Sequence, residues 1–143
     1  MKQDAALSTL LNQQQEHLTV LLLLLQNELS FISARDNAAL DQNTTKKTSL
    51  LDSIQQIDLQ IANHSELAQA KNRADFRHCV AQLDELLVRC KQQNEVNRQA
   101  VEQSQLVIER YKHELLQQRG KSGLTYNAKG KPALDSVGKG IKA

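Results

Sequence analysis

FRHCVAQLDELLVRCKQQNEVNRQAVEQSQLVIERYKHELLQQ, residues 76–118, contains neither Gly nor Pro and carries an apolar stripe that keeps one phase throughout. Val80, Leu87, Val101, Ile108 and Leu115 recur at seven-residue spacing, interrupted only by Asn94. Leu83, Cys90 and Tyr111 form a second row on the same side. This spacing predicts one amphipathic helix of about 60 Å, longer than any other element in the chain.

Upstream, the apolar run Leu18 to Leu25 is interrupted by Thr19, is too short to span a bilayer and follows Glu16 and His17. No cationic segment or small-residue cleavage site frames it as a signal peptide. Leu11, Leu18, Leu25 and Ile32 repeat every seven residues with Leu22 and Leu29 as companions, which predicts a first helix from about Asp4 to Ala34. Leu21, Leu23 and Leu24 widen its apolar face, so it packs against two neighbours, or against one neighbour and a partner.

Asp36 or Asn37 is the expected cap of a second helix, and so short a join returns it antiparallel. Its core rows are Leu40, Ile54, Ile61 and Ala68, then Leu50, Ile57 and His64, with Leu51 beside them. Lys47 occupies a core-facing position, its methylene stem expected along the core edge and its ammonium in water. Between Ala62 and Asp75, the side chains of Asn63, His64, Ser65, Asn72 and Asp75 compete for backbone hydrogen bonds, and the second reversal is expected there. His64 reads as a partly buried, hydrogen-bonded side chain rather than a switch or ligand.

Hydrophobic residues make up 40% of the 143-residue chain and aromatics only 3%, so the core must be aliphatic. Gly and Pro are absent before residue 120, which removes the turn chemistry strands need. The fold class is therefore all-α: an antiparallel bundle of three long helices, the third the longest. Residues 1–118 form the bundle domain. Residues 119–143 hold all five glycines, Pro132, Arg119 and five lysines against Asp135, a net charge of +5 beside −3 for the rest. Such a tail is expected to be disordered, with Leu124-Thr125-Tyr126 as a hydrophobic recognition segment that orders on binding.

Cys79 and Cys90 stand about 16 Å apart along the predicted helix and cannot bridge, which fits reduced thiols in a cytoplasmic protein. No paired metal-ligand motif, phosphate loop or nucleophile elbow is present. Neither metal nor other cofactor is expected, and an enzyme is excluded on the same grounds. Glu109 and His113 read as a helix-surface ion pair. The dispersed lysines lack a recognition motif, so neither nucleic acid binding nor membrane insertion is expected. Lys91 to Gln99 is strongly polar, and Asn94 and Asn97 fall where the stripe calls for apolar residues, which costs stability but fixes register or holds a binding partner in place. Beyond them Val107, Ile108, Tyr111, Leu115 and Leu116 exceed what two helices of about thirty residues can cover, and with Val101 they form the candidate docking surface. The rival reading is a structural coiled-coil protein that homodimerises through the same stripe.

Three segments resemble the FlgN family of flagellar export chaperones. Lys47-Thr48-Ser49-Leu50-Leu51 is similar to the family's Lys-x-x-Leu-Leu segment, with Lys46 where the family has Glu. Cys90 to Asn97 is similar to its Asn-rich turn. Leu124-Thr125-Tyr126-Asn127-Ala128-Lys129-Gly130 resembles its Leu-Tyr-x-Ala-x-Gly tail, with Thr125 inserted. The resemblance implies a cytoplasmic chaperone that binds the C-terminal helical regions of the hook-filament junction proteins FlgK and FlgL through the late part of the third helix. It further implies that the tail tyrosine, here Tyr126 with Leu124 beside it, contacts the cytoplasmic domain of the export gate FlhA, and that FliJ is another partner.

Overall fold

The computed structural model describes residues 6–127, with side chains through residue 120. Among the described residues the only regular elements are helices: α1 (Leu7–Ala34), α2 (Asn37–Ala62), the single turn α3 (Leu67–Ala70) and α4 (Ala74–Asn127). It divides into two compact units, Met1–Val101 and Glu102–Ala143, with the boundary inside α4.

In the first unit, Leu18, Leu21, Leu22 and Leu25 of α1 are buried with Cys90 of α4 and pack against Leu50 and Ile54 of α2 and Leu83 and Leu86 of α4. Towards the start of α1, Leu7 and Leu11 are buried with Ala70 and Phe76. Register follows from the bonds between helices. Gln14 donates to the Ile54 carbonyl of α2 while Asn43 donates to that of Leu24, so α2 runs antiparallel to α1. The Cys90 thiol donates to the Leu18 carbonyl and Asn97 to that of Leu25, so α4 runs parallel to α1 at a constant offset of 72 residues. By length and composition α1 could cross a membrane. Leu18, Leu21, Leu22 and Leu25 of that helix are core residues here.

The first reversal takes two residues. Asp36 caps α2 by accepting from the Ala39 amide, as expected from the sequence. Arg35 closes α1 in the left-handed region at φ 56°, where its amide and that of Asp36 satisfy the Ile32 and Phe31 carbonyls. An L-residue with a Cβ is strained there by about 1–2 kcal/mol, part of which a glycine recovers. Arg35→Gly is therefore expected to raise the free energy of unfolding by about 0.5–1 kcal/mol in a urea titration. A lowered midpoint would mean that the arginine side chain contributes more than the strain it causes.

The second reversal falls where expected but contains α3, whose Ala70 closes one end of the core. Ala68, placed by spacing in the α2 core row, is exposed, because α2 ends at Ala62 and the helical phase is lost before it. His64 is buried and its Nδ1 accepts from the Glu66 amide. The first helix begins at Leu7 rather than near Asp4, which lies outside the described residues. At the other end α4 continues to Asn127, past the expected stop at Gln118. Residues 119–127 belong to α4: Gly120 and Gly123 each cost about 1 kcal/mol in a helix but neither takes positive φ, so they weaken the helix without ending it. The rest of the expected tail, 128–143, lies outside the described residues.

Candidate functional site

α4 has two apolar rows, and the one buried in the first unit is not the one the heptad count favoured. Phe76, Leu83, Cys90 and Asn97 line the seam with α1, joined by Leu86. In the row led by Val80, only Val80 itself is half-buried. Leu87 and Val101 are each 40% exposed, and Asn94 is exposed as well. Adjacent rows at three- and four-residue spacing share one side of a helix, so periodicity selects the side and not the seam.

Where the buried row turns polar, it is bonded rather than open. Asn97 is 2% exposed, and its Nδ2 donates to the Leu25 carbonyl at 2.8 Å and to Glu28 Oε1 at 2.9 Å. Gln93 Nε2 donates to Asn97 Oδ1 at 3.0 Å. On the α2 side, Asn43 Nδ2 donates to the Leu24 carbonyl at 3.0 Å, and Lys47 Nζ meets Glu28 Oε2 at 2.8 Å. Lys47 is thus paired with Glu28, not left in water, because Glu28 projects from α1 at the same height. This layer binds α2 and α4 to adjacent carbonyls of α1, so of the two roles open to Asn97 it serves register. Asn43 and Glu28 carried no signal on their own; each sits on a core row at heptad spacing from apolar residues.

The ionisable groups do little beyond this. Burial pushes the Cys90 thiol up, which Arg89 only partly opposes, so the nucleophilic thiolate is disfavoured. The hydrogen bond from Arg98, more than its charge, holds the exposed Glu95 carboxyl below the usual range. His113 Nε2 meets Gln117, and the Glu109–His113 ion pair expected from the sequence is not among the ion pairs of the described residues. Among the described residues no group of three or more His, Cys, Asp or Glu side chains could hold a metal ion.

In the second unit, α4 exposes large apolar side chains among its charged and amide ones. Leu106, Val107, Ile108, Tyr111, Leu115 and Leu116 are all exposed, Tyr111 at 62%. Ile108, Tyr111 and Leu115 follow three- and four-residue spacing and form one stripe, with Val107 and Leu116 on its borders and Leu106 on the opposite side. Val101, the remaining candidate, is the last residue of the first unit. Leu124 and Tyr126 lie on the final helical turns of α4, beyond the described side chains.

Among the described residues, polar groups hold the register of the helices and the last helix leaves a stripe of large apolar side chains open, the kind of surface that docks on a partner. The family model for "FlgN protein" matches residues 1–133. The chain belongs to the FlgN family, the flagellar export chaperones of type III secretion. Comparison with curated proteins and with solved structures returns no match.

Proposed function

We propose that this chaperone acts in the cytoplasm, where it binds the C-terminal helical regions of the hook-filament junction proteins FlgK and FlgL, prevents their premature assembly and delivers them to the export gate. The observation that carries the proposal is the exposed row on α4. Ile108, Tyr111 and Leu115, bordered by Val107 and Leu116, present apolar anchors at helical spacing, with Val101 one heptad earlier on the same helix. An amphipathic cargo helix with anchors at i, i+3, i+4 and i+7 matches such a row. Burying about 1,500 Å² would make an interface of standard size, part of its gain offset by ordering the cargo. The gate contact with the FlhA cytoplasmic domain is assigned to Leu124 and Tyr126. FliJ is a further partner in this reading.

Light scattering of the chain with the FlgK and FlgL C-terminal segments is expected to show a complex of defined cargo stoichiometry. A chain that stays dimeric and takes up no cargo would establish the rival structural coiled coil. In the same experiment Tyr126→Ala should bind cargo as the parent does, while losing affinity for the FlhA cytoplasmic domain when cargo is bound. Loss of cargo binding in that variant would refute the separation of roles.

A further inference from the structure

A second apolar feature lies within the first unit, apart from the row on late α4. A groove is floored by Leu21 and Leu25 of α1 and Cys90 of α4, walled by Leu51 of α2 and Leu87 of α4, and rimmed by Lys47, Lys91 and Asn94. Leu51 and Leu87 are 46% and 40% exposed, although the leucines beneath them are buried. A side chain entering between them would meet a floor already made of packed core. Register bonds hold the three helices around it, so the groove is preformed.

We propose that this groove docks an acidic amphipathic helix of a partner protein. A leucine-sized side chain sits between Leu51 and Leu87, and carboxylates on the same helix face Lys91 and Lys47. The charge of the rim selects this occupant. Both charged side chains that line the groove are lysines: Lys47 shares its ammonium with Glu28, and Lys91 has no ion pair among the described residues. The chain's own residues 128–143 bear Lys129, Lys131, Lys139 and Lys142 against Asp135 alone, and would set cation against cation. A second copy seated by two-fold symmetry would bring the same lysines face to face. A helix with carboxylates beside its apolar anchor meets neither objection, and rim pairs of this kind act mainly on association rate and partner choice.

The test uses the full chain, with leucine methyls labelled for NMR, and two synthetic peptides of about five helical turns that share one leucine stripe. One peptide is flanked by Glu and the other by Lys. The Glu-flanked peptide is expected to shift the methyls of Leu21, Leu25, Leu51 and Leu87 and to bind there at least about tenfold more tightly than its Lys-flanked twin at low salt. Lys91→Glu, an exposed change, should erase or reverse that preference, and Leu51→Asn with Leu87→Asn should abolish the shifts. Should the paired leucine changes disturb the fold by circular dichroism, Lys91→Glu still decides. Equal binding of both peptides at these methyls overturns the proposal. So do shifts confined to Leu106, Leu115 and Leu116, and so do concentration-dependent shifts at Leu51 and Leu87 without peptide, which identify a second copy as the occupant.

Discussion

Ile108→Asp combined with Leu115→Asp is expected to lower affinity for the FlgK and FlgL C-terminal segments by at least about 100-fold, near 3 kcal/mol at about 1.4 kcal/mol per decade. The size follows from placing two carboxylates at the centre of an apolar contact, where a bound helix would strip them of water and offer no partner. Both side chains are 37% exposed in the free protein, so their replacement removes little of its own packing. Far-UV circular dichroism and the urea midpoint should therefore stay close to those of the parent. Leu106→Asp is the matched control: Leu106 is more exposed but lies on the opposite side of the helix, and calorimetric affinity should barely change. If the paired variant keeps its fold and binds both segments as tightly as the parent, cargo docks elsewhere.

Asn97→Asp is expected to be the most damaging single change in the first unit, costing at least about 3 kcal/mol of stability, against about 1–3 kcal/mol for Asn97→Ala. The alanine leaves Glu28 Oε1 and the amide of Gln93 short of a partner. The aspartate does more harm, because it turns a donor into an anion aimed at the Leu25 carbonyl and the Glu28 carboxylate, 2.8 and 2.9 Å from the nitrogen it replaces. Neither acceptor can reciprocate. Urea unfolding of the two variants at neutral pH separates the cases. Equal losses would mean that only the volume of Asn97 matters, and that its amide does not clip α4 to α1.

Much of this arrangement could be read from residue spacing, and the failures have physical causes. Leu11, Leu18 and Leu25 are buried as their heptad implies, since α1 is crossed by helices on both sides and any apolar residue on that face finds a partner. The Asp36 cap is legible because a short acceptor ahead of a helix has one common use. On α4 the balance of Val80, Leu87 and Val101 against Phe76, Cys90 and Asn97 was misleading, since a buried amide that finds carbonyl partners substitutes for an apolar side chain and hydropathy does not register it. The pairing of Lys47 is hidden from local spacing because its partner Glu28 stands nineteen residues away on another helix. Of the candidate site, the openness of Ile108, Tyr111 and Leu115 was foreseeable from the helix having more apolar length than its neighbours. The groove between Leu51 and Leu87 was not, because it depends on which of two adjacent rows turns inward.

The 72-residue offset between α1 and α4 also bears on how the protein is made. On the ribosome, α1 and α2 can zip together early through contacts as near in sequence as Leu24 with Asn43, whereas the α4 side of the leucine face waits for residues far downstream. Asn97 follows the end of α2 at Ala62 by 35 residues, so at about 5–20 residues per second the finished hairpin waits about 2–7 s. For those seconds the nascent hairpin carries a sticky aliphatic flank, and this export chaperone is itself open to misassociation while it is being made.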